Sequence, residues 1–214
     1  MKATVVCLSR TLAAGGEIVG RLVADRLGFR YVDEEVINLA AEKANVDPKV
    51  VAAAEHRKTF LSRFLDALAA SQPQDAYVLI PQAEGLTYYG PTTIATSRVP
   101  EDMRELIADA IREIAAGGNT VIVAHAASMA LAGVEGVLRV LITASEKTRA
   151  ARMRLLKEGD AESAVRDSDR ERRDYLSRFY GIKEELSTHY DLVLNTDVLR
   201  PEQAASLIVS AVQS

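Results

Sequence analysis

The sequence predicts an α/β fold in which a doubly wound parallel sheet carries helices on both faces. Three observations lead there. Short, unbroken apolar runs recur along the chain, as strands buried on both faces require. Segments with apolar residues at helical spacing separate those runs, so strands and helices alternate. The 214 residues are 48% hydrophobic, ample for one packed core. We expect a single domain over residues 1–214, with ligands bound outside the carboxyl ends of the strands.

The elements follow in order. Ala3 to Leu8 (ATVVCL) reads as the first strand. After the turn Ser9 to Gly16, Ile18, Leu22, Val23 and Leu27 recur at helical spacing, and Gly28 stops the pattern. Phe29 to Val32 is a second strand, and Asp33 stands at an N-cap position before Val36, Ile37, Leu39 and Ala40. Asp47-Pro48 starts a short helix ending near Glu55, and Thr59 to Ala70 is amphipathic. Ser71 to Pro100 holds four of the six prolines and reads as mostly loop. A helix from Glu101 to Ala116 ends at Gly117-Gly118. Thr120 to Ala124 and Val137 to Ile142 are buried strands, the second interrupted by Arg139. Ser145 caps a basic helix running to about Glu158, and a highly charged helix covers roughly Ala161 to Phe179. Leu192 to Leu194 is the last strand, and Pro201 opens the final helix.

Composition excludes several classes. A net charge of -4 leaves no footprint for a nucleic-acid polymer or an anionic membrane. No apolar stretch reaches the roughly 18 residues of a membrane span. The chain starts on a strand rather than a signal peptide, so a cytoplasmic location is expected. The one cysteine, Cys7, falls in the first apolar run and reads as a buried structural thiol. His56, His125 and His189 have no ligand spacing, so no protein-held metal is expected. No G-x-G-x-x-G follows the first strand, which argues against a nicotinamide enzyme.

The chemistry centres on Ser9 to Gly16. Gly15 and Gly16 sit where the loop enters the first helix, where unpaired N–H groups and backbone access suit a phosphate. A plain strand-to-helix turn is the alternative. The Walker pattern G-x-x-x-x-G-K-S/T is not met: with Gly15 as its last glycine, Gly16 replaces the lysine and Glu17 the magnesium-binding hydroxyl. A carboxylate about 4 Å from a phosphate charge costs about 4 kcal/mol at a surface-like dielectric. Glu17 therefore points away, binds a metal, or the loop holds no triphosphate. Arg10 is the nearest cation that could supply the missing charge.

Ser9-Arg10, Ala14-Gly15-Gly16 and Ile18 resemble the opening S-R-x-x-G-S-G-G of the cytidylate-kinase-like family, divergent P-loop nucleoside-monophosphate kinases without the Walker lysine. Tyr31-Val32-Asp33 with Val36-Ile37 resembles its F-Y-D-x-x-x-I element, and Ala124-His125-Ala126 takes the place of its G-R-G. Asp169, Arg172, Tyr175, Tyr180 and Gly181 follow its D-x-x-R-x-x-Y…Y-x-G lid pattern. Tyr190 to Thr196 matches its Y-D-L-V-L-N-T strand. The likeness runs from residue 3 to about 212 and is weakest over residues 45–100. It departs at Ala13, which stands for a loop glycine, and at His125, which stands for an arginine.

The resemblance implies a three-layer P-loop kinase fold with an acceptor-side insertion at about 45–100 and a helical lid at about 158–182. It implies ATP and Mg2+, with the donor on Ser9, Arg10, Ala14, Gly15, Gly16 and Glu17. An acceptor, a nucleotide or other small molecule, would lie near Asp33, which helix capping explains equally well. His125 either holds a phosphate oxygen or packs at a strand end, and Tyr88 with Tyr89 either stacks on a base or anchors a loop. Arg149, Arg152, Arg154, Arg166, Arg170, Arg172, Arg173 and Arg178 crowd thirty residues. By resemblance Arg172, Arg166 and Arg170 belong to the lid, where arginine forks stabilise a phosphoryl group in transfer. Interleaved Asp167, Asp169, Glu171 and Asp174 also fit an ordinary ion-paired helix. The expected function is an ATP-dependent phosphotransferase, and the alternative is a catalytically impaired nucleotide-binding or interaction module. The apolar face near Phe60 and Phe64 could pair two chains.

Overall fold

The computed structural model describes residues 3–33, 35–44, 81–82, 85–86, 101–123, 126–156 and 160–214. Strand β1 (Val5–Arg10) is the middle of a five-stranded parallel sheet. Its residues alternate between two cores, as the two-residue period of a strand requires. Val6 and Leu8 face one side, packed with Val19 and Val23 of helix α1 (Gly16–Leu27) and with Ala204, Ile208 and Val212 of the C-terminal helix. Val5 and Cys7 face the other, packed with Val36, Ala40, Ile107 and Ile111. This is the expected three-layer arrangement.

The chain then runs through β2 (Arg30–Val32) and α2 (Glu35–Ala44). A two-residue antiparallel pair follows, β3 (Pro81–Gln82) with β4 (Gly85–Leu86), in the stretch expected to be mostly loop. Helix α3 (Glu101–Ala116) leads into β5 (Thr120–Val123), and the short helix α4 (Ala127–Ala130) follows it. Next come β6 (Val137–Thr143), α5 (Glu146–Leu156), α6 (Ala161–Tyr180), β7 (Leu192–Asn195) and α7 (Pro201–Gln213). Asp160 caps α6, its side chain accepting from Ser163 N–H at 2.9 Å. The expected helices at 47–55 and 59–70 lie outside the described residues, as do Phe60, Phe64, Tyr88, Tyr89 and His125.

The strand order is β2-β5-β1-β6-β7. The chain leaves β1 toward β2, returns to β5 beside β1, then crosses to β6 on the other flank. The order therefore reverses at β1, and the crevice at its carboxyl end is where such sheets bind ligands. Arg139, which interrupts the apolar run of β6, is fixed by Asp191 at the start of β7. Its guanidinium donates to both carboxylate oxygens at 2.7 and 3.2 Å, and its backbone N–H adds a third bond at 2.8 Å. A charge inside a buried-strand pattern is thus a tie between β6 and the edge strand β7.

Candidate functional site: a loop at the head of the first helix

The loop begins as β1 ends. Thr11 N–H extends the β6 ladder to Ile142 C=O at 3.1 Å, and Ala14 N–H turns back to Thr11 C=O at 3.1 Å. Gly15, the N-cap of α1, has φ +83, a conformation natural only to glycine. A β-carbon on Gly16 would stand 2.6 Å from Arg10 Cβ. The arginine stem therefore lies where a Walker lysine would begin, and only glycine fits there. The first helical bond joins Val19 N–H to Gly15 C=O at 3.1 Å. Gly16, Glu17 and Ile18 thus present N–H groups without intrahelical acceptors, at the positive end of the helix dipole.

The loop's carbonyls are drawn the other way. Arg172 donates to Arg10 C=O at 3.3 Å, Arg152 to Ala13 C=O at 3.2 Å and Thr196 to Ala14 C=O at 2.8 Å. In a trans peptide the carbonyl and the next N–H point in opposite directions. Holding Ala14 C=O therefore turns Gly15 N–H away from Thr196.

Beneath the loop lies a buried polar floor. Ser9 and Ser128 share a 3.0 Å hydroxyl contact, joining the end of β1 to α4. Arg172 grips Glu185 with two bonds of 2.8 and 2.6 Å and donates to Tyr190 Oη at 3.2 Å, while Tyr190 donates to Glu185. Burial raises the Tyr190 hydroxyl to about 12, opposed by the Arg172 charge and reinforced by the Glu185 charge. Burial acts upward on Glu185 too, but its bonds and charge contact with Arg172 and its bond with Tyr190 outweigh that and hold it below its ordinary value. Cys7 is buried as expected, and desolvation pushes its thiol up to about 12.

Arg10 and Glu17 answer one question the sequence raised. Arg10 Nε lies 2.9 Å from Glu17 Oε1. The contact is close enough for charge attraction, but the N–H is not aimed at the oxygen, so Nε keeps no hydrogen-bond acceptor. Glu17 thus points at a cation rather than standing as a bare carboxylate. Asp33 follows β2 directly, where its carboxylate accepts from Tyr31 OH at 3.4 Å and its carbonyl from Val36 N–H at 3.4 Å. Arg166 and Arg170, both more than half exposed, lie on α6 at 3.5 Å from Glu146 and 3.6 Å from Asp167. Ala13 (φ +60) and Ala126 (φ +49) both take the left-handed conformation at places where the resembling motifs have glycine. Each costs roughly 1–2 kcal/mol relative to a right-handed residue.

Ser9, Arg10, Ala14, Gly15, Gly16 and Glu17 therefore gather at one loop that Arg172 reaches from α6, with Arg166 and Arg170 elsewhere on that helix. Sequence reasoning did not single out Thr196, Glu185 or Ser128, and it placed Arg152 only at the start of a helix. Thr196 was inside the best-matching strand motif, but nothing there indicated that its hydroxyl reaches 182 positions back along the chain.

The cytidylate kinase-like family model matches residues 5–198. The chain belongs to that family. Among solved structures, an uncharacterized protein from Eubacterium ventriosum ATCC 27560 is similar at 17% identity and a TM-score of 0.63, over 99% of both chains. Shikimate kinase from Bacteroides thetaiotaomicron is similar at 12% identity and a TM-score of 0.52, again over 99% of both. A sugar kinase from Janibacter sp. HTCC2649 is similar at 13% and 0.51, over 97% of this chain and 93% of that one. No curated protein matches. At these identities the structures speak for the fold alone, and it is the P-loop kinase fold. For this cytidylate kinase-like protein, membership and fold together support a phosphotransferase of the P-loop kinase kind. Among the described residues no helix is long and apolar enough to cross a membrane, and no three His, Cys, Asp or Glu side chains cluster as metal ligands.

Proposed function

We propose that this protein transfers a phosphoryl group from ATP to a nucleotide or other small-molecule acceptor. The observation that carries the reading is the loop at the β1 switch point. Gly16 to Ile18 leave N–H groups without intrahelical acceptors, while the carbonyls of Arg10, Ala13 and Ala14 are held by Arg172, Arg152 and Thr196. That is the donor array a phosphate chain needs. Arg10 would supply the charge that the Walker lysine gives elsewhere, with its unsatisfied Nε turning from Glu17 to a phosphate oxygen. Mg2+ fits the residues present: it binds nucleotide phosphates through one or two carboxylates and retained waters, and Glu17 is the carboxylate at hand. When bound, the ion neutralises charge on the transferring group. The acceptor would lie between Asp33, the 60–100 region with Tyr88, and His125, and residues 158–182 would form the lid of a single cytoplasmic domain.

A second reading has its own observation. Arg149, Arg154, Arg166, Arg170 and Arg172 all have carboxylate partners in the described structure. A lid whose arginines are already paired suits a nucleotide-binding module without transfer. A phosphotransfer screen with magnesium, ATP and a panel of nucleoside monophosphates and small alcohols separates the two. We expect acceptor-dependent ADP release, lowered about 100-fold by Arg172→Ala, as for loss of one transition-state donor. ATP binding by calorimetry with no transfer to any acceptor would overturn the kinase reading in favour of the module.

A further inference from the structure

We infer that Thr196 and Arg152 are positioning residues that lock the Ala14–Gly15 peptide so that Gly15 N–H faces the anion. This rests on the phosphate-binding reading of the loop and adds the device that keeps the loop competent. Gly15 sits at φ +83 with nothing within 4 Å of where its β-carbon would be. A glycine in open space adopts either hand of φ at similar cost, so the peptide before it is the one most easily reversed. Reversal would replace an N–H by a carbonyl oxygen at the phosphate site. Only a hold on Ala14 C=O prevents this.

Thr196 provides the hold, and it is itself oriented. It is 4% exposed, and its hydroxyl has one proton to give. Arg152 donates to Thr196 Oγ1 at 3.1 Å and to Thr196 C=O at 2.6 Å, fixing both ends of the residue. With a lone pair taken by Arg152, the hydroxyl proton goes to Ala14 C=O at 2.8 Å rather than to Thr143 C=O at 3.3 Å. The same Arg152 nitrogen reaches Ala13 C=O at 3.2 Å, bracing the residue strained at φ +60. The chain from α5 through β7 to the loop is therefore continuous. Neither side chain needs to touch the ligand.

The test compares Thr196→Val, which keeps the shape and removes the proton, with Thr196→Ser, which restores it. Binding of inorganic tripolyphosphate and of ATP is measured by calorimetry on the full chain, with thermal melting alongside. We expect Thr196→Val to weaken both ligands about tenfold, a tenfold change in Kd being a clearly resolved step. Thr196→Ser should stay within about threefold of the parent. If turnover is present, Thr196→Val should raise the ATP KM with the acceptor KM unchanged. Arg152→Lys, which keeps the charge but not the fork, should fall between the two and serves if Thr196→Val does not fold. Equal ligand affinity in parent and Thr196→Val would overturn the positioning role alone. A serine variant as weak as the valine variant would overturn it too, since shape and not the proton would then matter. A parent chain that binds neither probe would remove the phosphate-binding reading and this inference together.

Discussion

Six of the eight arginines of α5 and α6 fall into two populations that look alike in sequence. Arg149, Arg152 and Arg172 turn inward, and each reaches a backbone carbonyl: Ala144, Ala13 with Thr196, and Arg10 respectively. Arg154, Arg166 and Arg170 turn outward to single carboxylates and remain more than half exposed. The difference teaches that arginine density by itself does not mark a phosphate lid. Some of these forks reach inward to backbone carbonyls, while others sit on the exposed sides of the same two helices, where charge is screened and cheap to rearrange.

The largest effect that would break this division is at Arg149. It is 5% exposed and holds Asp169 with two bonds of 2.8 and 2.6 Å, tying α5 to α6. Removing one partner of such a pair strands a charge in a poorly solvated place. Arg149→Met should lose about 3 kcal/mol of stability in urea unfolding. A loss below about 1 kcal/mol would move Arg149 to the outer population.

That inner pair was half legible. The sequence carries Asp169 and Arg172 in a recognisable lid pattern, and the strand–helix alternation predicts the five strands of the parallel sheet and its long helices to within a few residues, but not the β3–β4 pair or the short helix α4. The unbroken runs ATVVCL and TVIVA reveal strands buried on both faces because parallel sheets covered by helices leave no polar side. Likewise Gly15-Gly16 reveals the loop, because backbone geometry there admits little else. What the sequence could not reveal is which side chain answers which carbonyl. Thr196 meets Ala14, and Ser128 meets Ser9, across separations of 182 and 119 residues, and no local periodicity encodes such pairings. Glu185 went unseen for the same reason: it stands outside the lid pattern, yet closes the Arg172 network.

A smaller effect, readable by pH, sharpens the inner set. Glu185 is held below its ordinary 4.5, so its contribution to stability is complete above about pH 4.5 and is lost as the pH falls through the lowered value. Tyr190 behaves in the opposite sense. Raised from 10.0 to about 12, it contributes fully below pH 10 and loses that contribution as the pH rises to about 12. Glu185→Gln should cost about 2 kcal/mol at neutral pH, the range of a hydrogen bond to a charged group. The difference from the parent should shrink in acid, because the parent loses the same charge there. No loss of stability from Glu185→Gln at neutral pH would mean that Arg172 does not depend on the carboxylate.

The smallest expected effect tests the outer set, and it decides what the exposed side of α6 does. Arg166 and Arg170 meet their carboxylates at 3.5 and 3.6 Å with more than half of each arginine side chain in solvent. Exposed pairs of this kind contribute about 0–1 kcal/mol, so Arg166→Ala and Arg170→Ala should shift unfolding by no more than about 0.5 kcal/mol. Stability then ceases to confound the readout, and any change in phosphotransfer is a change in what the side chain does to the ligand. If the outer arginines close over a phosphoryl group, Arg170→Ala lowers turnover while the melting curve stays in place. Unchanged turnover in both variants would confine the electrostatic work to Arg10 and the inner arginines, and α6 would then serve to fix the loop from beneath.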